Sequence, residues 1–158
     1  MSFLKKIFRP FFSVEPFSEV PLEVKLLRLY VKQVYMYLGC AGTNGCPLKI
    51  AVFGAGRHSA WLFQITEAIE KKPLIVVILD DAYQEKEFHG YPVMKSSDFD
   101  PSSADLILIS SDTAAGRMEE KCKELYGNKI RILNMYNELP SGPYYKEFEQ
   151  LKTSSYVS

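Results

Sequence analysis

The sequence predicts an α/β fold, with a small doubly wound parallel sheet of about four to five strands and an extra N-terminal helix. From residue 48 onward, short apolar runs rich in β-branched residues alternate with segments of helical periodicity. Such alternation is typical of parallel strands joined by right-handed crossovers. The length of 158 residues suits one domain with a sizeable core.

Residues 1–47 are interpreted as an N-terminal arm followed by a helix. Residues 1–20 contain prolines as punctuation and are expected to be irregular. Residues 22–38 carry one apolar stripe at helical spacing, which predicts a helix that begins after Pro21 and ends at Gly39. This helix lies outside the minimal sheet unit, so we expect it to cover the sheet or to pair with a second subunit.

Residues 48–136 contain the predicted sheet and its helices. Four apolar runs have the composition of buried strands, and two longer segments have helical periodicity. The interval between the second and third strands is short, so we expect a shortened crossover with a minor strand at 91–94. The tail, 137–158, is polar, with a short helix predicted around 144–151. The predicted strands are 48–53, 73–80, 105–110 and 129–136, and the predicted helices are 58–72 and 113–127.

The composition excludes several classes of protein. Lys and Arg number 19 and Asp and Glu number 19, so the zero net charge argues against a nucleic-acid partner. Three cysteines do not make a disulfide framework and indicate reduced thiols in a cytoplasmic protein. No second Cys/His pair lies at zinc spacing, so no metal site is predicted. No apolar run approaches the roughly 20 residues that span a bilayer, and we expect the basic, aromatic start of the chain to pack on protein rather than on a membrane.

Two glycines stand where the first predicted strand becomes a helix, in KIAVFGAGRHSAW (49–61). In a nucleotide-binding βαβ unit, the first glycine makes the tight turn and the second lets the backbone approach a phosphate at the helix N-terminus. Gly54 and Gly56 occupy these positions, and Ser59 stands where a third small residue allows close packing. The alternative is that these residues form only a tight corner.

An acidic residue at the end of the second strand strengthens the nucleotide-binding interpretation. Asp80 lies 24 positions after Gly56, near the spacing of about 20 residues for a ribose-binding acid. Such a carboxylate would accept hydrogen bonds from ribose hydroxyls and repel a 2′-phosphate, so NAD is favoured over NADP. The alternatives are a solvated strand end for Asp80 and a turn residue for Asp81.

Four more polar residues lie near the same predicted edge. Arg57 is interpreted as a partner for a phosphate or as a surface arginine. For His58, in the first helical turn, exposure to solvent is favoured over contact with a ligand or a role in proton transfer. Ser110 and Ser111 follow the third strand, and the carboxyl ends of parallel strands face the ligand crevice, so their hydroxyls are candidates to line a cofactor.

The sequence contains no catalytic constellation. It has neither a P-loop nor a nucleophile elbow, and neither His58 nor His89 has a nucleophile or carboxylate partner by motif. Catalytic residues are therefore not assigned, and whether the protein is an enzyme stays open. If it is one, an NAD-dependent oxidoreductase completed by oligomerisation or a sugar-modifying activity is expected.

Four segments together resemble a family of Rossmann-like nucleotide-binding domains: GAGRHSAWL (54–62), IVVILDD (75–81), HGYPV (89–93) and ADLILISSD (104–112). The family includes the N-terminal domains of PglD-like sugar acetyltransferases and the CoA-binding-like domain of CapD-type polysaccharide biosynthesis proteins. The resemblance covers roughly 48–136. It implies a phosphate among Gly54, Gly56, Arg57 and His58, a ribose or base beside Asp80 and Asp81, and an opposite wall at Ser110 and Ser111.

The resemblance also implies a biological setting. We expect a standalone module that binds NAD or a nucleotide-sugar. It would be accessory to bacterial sugar or polysaccharide modification and would act with a sugar-modifying partner protein. Family members usually carry a catalytic domain after this module, and we expect none in this chain. The ten Tyr and ten Phe residues favour a homodimer. A protein-interaction module that binds no nucleotide is the alternative.

Overall fold

Helices cover both faces of a six-stranded sheet in the computed structural model, which describes residues 22–111 and 113–137. This arrangement confirms the predicted α/β, Rossmann-like class and the extra N-terminal helix. The predicted arm at 1–20 and the predicted tail helix at 144–151 lie outside the described residues. Within the described ranges, no helix combines the length and apolarity needed to cross a membrane.

The predicted strands and the three predicted helices are all present, most with ends shifted by a few residues. The largest difference is in the second helix, which was predicted to continue to residue 72 and ends at Thr66. Short 3-10 turns occupy Thr43–Gly45, Ser96–Asp98 and Pro101–Ser103. The described elements are α1 (Leu22–Cys40), β1 (Lys49–Phe53), α2 (Arg57–Thr66), β2 (Leu74–Leu79), β3 (Glu87–Phe88), β4 (Tyr91–Met94), β5 (Leu106–Ile109), α3 (Ala115–Tyr126) and β6 (Arg131–Asn134).

The strands follow the order β3-β4-β2-β1-β5-β6, and all pairings are parallel except the one between β3 and β4. With β3 set aside, the parallel strands run 3-2-1-4-5 in their order along the chain, which is the Rossmann order. Ile50 of β1 pairs with Ile75 on one side and with Leu106 on the other. The direction of strand addition therefore reverses at β1, and the topological switch point lies between the carboxyl ends of β1 and β5.

The interval between β2 and β5 contains the shortened crossover and the minor strand that were predicted. The minor strand is β4, and a two-residue strand, β3, pairs with it in an antiparallel hairpin. The hairpin turns at His89 and Gly90, whose φ angles are +49° and +80°, as a type I′ turn requires. The expectation of about four to five strands, all parallel, was therefore one strand short and omitted the antiparallel pair.

Alternate side chains of the buried strands pack into two separate cores. On one face, Ile50 and Val52 lie in a cluster with α1 and α2, and on the other, Ala51 and Phe53 lie in a cluster with α3. Helix α1 therefore covers the sheet, which is one of the two roles that the sequence predicted for it. Its buried side chains are Leu27, Val31, Tyr35 and Leu38.

Candidate functional site

The turn after β1 requires glycine at its first position. Gly54 has a φ of +119°, and a Cβ there would lie 2.8 Å from the carbonyl oxygen of Ser110. The Gly54 N–H donates to the carbonyl of Leu79 at 2.8 Å. The turn is thus held between the ends of β2 and β5, at the switch point. We call residues 54–56 the glycine turn.

The second glycine leaves open space at the start of α2. Gly56 is the N-cap of α2 with an ordinary φ of −114°, and no side chain of the described residues caps the helix there. A Cβ on Gly56 would meet no atom of the described chain within 4 Å. Both Gly56 and Arg57 are exposed, and the first turn of α2 has no acidic residue. The free N–H groups and partial positive charge of such a helix end favour an anion.

His58 is buried, with 7% of its surface exposed, so the expectation of an exposed histidine was wrong. Its Nδ1 lies 2.8 Å from the hydroxyl of Ser110, and its Nε2 lies 2.6 Å from the hydroxyl of Tyr136. The ring also packs against Trp61, with centroids 5.6 Å apart. The structure therefore places a polar contact at each ring nitrogen.

Ser59 joins this histidine to the glycine turn. Its hydroxyl lies 2.5 Å from the carbonyl oxygen of Gly54 and 2.8 Å from the hydroxyl of Ser110. Ser59 and Ser110 are both buried. A third glycine at this position would provide close packing, whereas Ser59 provides hydrogen bonds between α2, the glycine turn and β5.

The carboxylate of Asp80 is largely occupied by backbone groups. One oxygen accepts the Ala55 N–H at 2.8 Å, and the other accepts the N–H groups of Ala82 and Tyr83 at 2.9 Å each. A carboxylate offers about four acceptor sites, so about one stays available. Asp80 is thus more than a solvated strand end, because it fixes the glycine turn from the side of β2.

Asp81 turns away from the glycine turn. Its carboxylate accepts the N–H and hydroxyl of Ser96 and forms an ion pair with Lys121 of α3 at 2.8 Å. Partial burial alone would raise the pKa of Asp81, but the hydrogen bonds from Lys121 and Ser96 outweigh it and lower the pKa below its ordinary value. The structure therefore does not bring Asp81 together with Asp80.

Ser111 lies beside the buried Ser110 and makes a local contact. Its hydroxyl accepts the N–H of Ala114 at 3.0 Å, just before α3. The Ser111 side chain is half-buried. Both serines are at the carboxyl end of β5 as predicted, but their hydroxyls already bind protein groups.

Residues 49–108 match the family model described as the PglD N-terminal domain. That match confirms the resemblance to PglD-like N-terminal domains, and the CapD-type part of the resemblance is not confirmed. This family model represents a domain related to sugar-modifying acetyltransferases. A search of curated proteins found no match to the chain. The PglD-like segment, as we call residues 49–108, includes the glycine turn, Asp80 and Asp81.

The PglD-like segment ends before three side chains that complete its edge. Ser110 and Ser111 lie two and three residues beyond its end, and Tyr136 comes from the turn after β6. Sequence reasoning did not single out Tyr136. The signal was present, because β6 is a parallel strand beside β5 and its carboxyl end faces the same edge of the sheet.

The polar groups at this edge differ in their accessibility. Among the described residues, no group of three His, Cys, Asp or Glu side chains could hold a metal ion. Ser110 is 3% exposed, so it does not present a nucleophile to a substrate. The accessible groups are the backbone of Gly56, the side chain of Arg57 and the remaining acceptor site of Asp80.

Proposed function

We propose that the PglD-like segment binds a nucleotide-sugar and serves bacterial sugar or polysaccharide modification together with a sugar-modifying partner protein. The diphosphate would lie at the N-terminus of α2. The observation that carries the proposal is the exposed helix start at Gly56, which no side chain of the described residues caps and which lies at the switch point of a Rossmann-order sheet. The match to the PglD N-terminal domain supports the sugar-modifying setting.

The contacts of Asp80 remove the observation that favoured NAD. Reading both hydroxyls of an adenosine ribose takes two acceptor sites of a carboxylate, and three backbone N–H groups leave Asp80 about one. The same three contacts give the acidic residue a structural role, which is to hold the glycine turn, and this role needs no dinucleotide. An NAD-dependent oxidoreductase therefore gains no support from this residue.

Thermal unfolding with and without ligand tests the proposal. We expect UDP-glucose or UDP-N-acetylglucosamine, at about 100 times its Kd, to add about 2.7 kcal/mol of stability, a rise in Tm of roughly 5–10 °C. NAD, NADP, CoA and AMP should have smaller effects at equal concentration. A rise with NAD alone would contradict the choice of ligand, and no rise with any of these compounds would favour the module that binds no nucleotide.

A glycine substitution locates the binding site. Gly56→Val fills the space in front of the α2 N-terminus without meeting any described atom within 4 Å at its Cβ, so it should remove binding while the domain stays folded. Gly116→Val is the matched control, because Gly116 also has open space and lies in α3 on the other face of the sheet. Unchanged binding by a folded Gly56→Val variant would refute the site.

The homodimer is part of the proposal and has support from the outer side of α1. Large apolar side chains there are 40–70% exposed, namely Leu26, Leu29, Met36 and Tyr37. Apolar and aromatic surface of this kind is typical of interface cores. Light scattering coupled to size exclusion should give twice the chain mass for the wild type and a monomer for Tyr37→Glu, and a monomeric wild type would remove the dimer.

The proposed cytoplasmic location has support from the thiols. Cys40, Cys46 and Cys122 are all free, as expected in a reducing compartment. Fractionation of the producing cell would test it, and recovery with the membrane or the exterior would contradict it.

A further inference from the structure

A continuous chain of polar contacts connects the turn after β6 to the glycine turn. It runs from the Tyr136 hydroxyl to Nε2 of His58 (2.6 Å), from Nδ1 to the Ser110 hydroxyl (2.8 Å), and on to the hydroxyl of Ser59 (2.8 Å). Ser59 then contacts the carbonyl oxygen of Gly54 at 2.5 Å. The four contacts join α2, the glycine turn, the residue after β5 and the turn after β6.

The carbonyl at one end of this chain determines where the protons lie. The Gly54 carbonyl only accepts, so the single proton of the Ser59 hydroxyl must point to it. The contact between the two serines then needs the proton of Ser110. Ser110 has no second proton for His58, so Nδ1 of the ring must donate to Ser110.

The same counting fixes the other ring nitrogen. A neutral imidazole with a proton on Nδ1 has an unprotonated Nε2, which accepts the proton of the Tyr136 hydroxyl. The reverse tautomer would leave the contact between Ser59 and Ser110 without a proton. For a neutral ring, one arrangement alone supplies a proton to every contact.

Tyr136 is itself held in place from two other sides. The carbonyl of the neighbouring Met135 accepts the hydroxyl of Tyr30, from α1, at 2.8 Å. The side chains of Asn134 and Asn137 donate to one carboxylate oxygen of Glu119, from α3, at 3.3 Å and 2.9 Å. Residues 134–137, which we call the exit turn, are therefore fixed to α1, α3 and, through His58, to α2.

We propose that His58 is a positioning residue, which as the Nδ1–H tautomer couples the exit turn to the glycine turn and fixes the first turn of α2. Burial of His58 and the use of both ring nitrogens by protein groups support this role over direct contact with a phosphate. The consequence for ligand affinity rests on the proposed function. The tautomer of His58 and its coupling of the two turns are independent of any ligand.

Nitrogen-15 NMR of the imidazole rings tests the tautomer without any ligand. The chain has only two histidines, so His89→Gln assigns the signals. At pH 8, His58 should show a protonated Nδ1 and an unprotonated Nε2. In Tyr136→Phe the donor to Nε2 is gone, so the Nε2 resonance should move toward that of an imidazole nitrogen that accepts no hydrogen bond, while Nδ1 stays protonated because the contacts of Ser110 and Ser59 still require it.

Tyr30→Phe is the matched control. It also removes a tyrosine hydroxyl that holds the exit turn, but that hydroxyl binds the Met135 carbonyl and not the histidine. It should leave the Nε2 resonance of His58 unchanged. An Nε2–H tautomer in the wild type would overturn the proton assignment. A Tyr136→Phe spectrum identical to that of the wild type would overturn the coupling. Both substitutions remove one oxygen atom, and retained Trp61 fluorescence would show that each variant is folded.

Calorimetric titration with UDP-N-acetylglucosamine separates this inference from the proposed function. Tyr136→Phe should weaken binding by about 2- to 10-fold, the equivalent of one net hydrogen bond, and Tyr30→Phe by less. If the wild type does not bind, the proposed function fails while the tautomer result stands. If the wild type and Tyr136→Phe bind equally well, the positioning role toward the ligand is wrong.

Discussion

Replacing Gly54 by alanine should destabilise the fold strongly, and the structure indicates how much. A residue with a side chain at a φ of +119° stores about 1–3 kcal/mol of backbone strain. The new Cβ would also lie 2.8 Å from the Ser110 carbonyl oxygen, and relieving such overpacking typically costs a further 1–3 kcal/mol. We therefore expect a loss of about 2–6 kcal/mol in the free energy of unfolding, or roughly 4–24 °C in Tm.

Urea denaturation followed by the fluorescence of Trp61 measures this loss. Trp61 is the only tryptophan and is 3% exposed, so its emission reports on unfolding. Gly56→Ala is the internal comparison, since its φ is ordinary and its Cβ meets open space, and it should lie within about 1 kcal/mol of the wild type. A Gly54→Ala variant as stable as Gly56→Ala would refute the reasoning about the turn.

Three further predictions concern side chains near the same edge. Asp80→Asn should lower the free energy of unfolding by about 2 kcal/mol in urea titrations. The asparagine oxygen can replace only one carboxylate oxygen, so the NH2 group would face the Ala55 N–H, which then lacks an acceptor. Unchanged stability would contradict the structural role. The lowered pKa of Asp81 means that its stabilising contribution is present above about pH 3.9 and is lost as the pH falls through the folded value. The difference in unfolding free energy between wild type and Asp81→Asn should therefore shrink below pH 4, and a constant difference would be inconsistent with this. Burial, with nearby carboxylates, raises the pKa of Cys122 to about 12; at pH 8 a thiol reagent should label two cysteines in the native protein and three in urea, whereas three fast reactions in the native state would be the contrary result.

The sheet could be predicted because its strands are apolar on both faces. Runs such as 73–80 have too many β-branched residues and too little periodicity for a surface helix, and they became β2 and its neighbours. The strand β3 could not be predicted with the same signal, since it has two residues and both lie in a polar stretch. The HG dipeptide at 89–90, which turns the hairpin, was the available clue.

The end of α2 shows a second limit of periodicity. Apolar residues continue at helical spacing to Ile69, so the sequence favours a helix up to residue 72. The helix ends at Thr66, whose hydroxyl donates back to the carbonyl of Leu62 at 2.7 Å. Ile69 still packs against the core from the following turn. Apolar spacing reports which residues are buried, and a turn can bury them as well as a helix can.

The structure places most of the candidate residues at one edge of the sheet, but their contacts could not be predicted from the sequence. Adjacent acidic residues, Asp80 and Asp81, form separate networks on different elements. His58 is buried because Tyr136, 78 positions later, reaches its ring across β5 and β6. A contact between residues so far apart in the sequence depends on the strand order of the folded sheet.

The charge of Asp80 sets a condition on any ligand of the glycine turn. Its carboxylate accepts the Ala55 N–H at 2.8 Å, one residue before the N-cap of α2. A diphosphate bound at that helix start would therefore lie near a second negative group and be repelled by it. Three N–H donors offset the charge of Asp80, and Arg57 adds a positive charge at the same helix end. A ligand that also offers one N–H or hydroxyl to the remaining acceptor site of Asp80 would turn the repulsion into a hydrogen bond. Inorganic pyrophosphate lacks the hydroxyl and N–H groups of the sugar and base, so it should bind much more weakly than a whole nucleotide-sugar. Asp80→Asn should narrow the difference between the two Kd values.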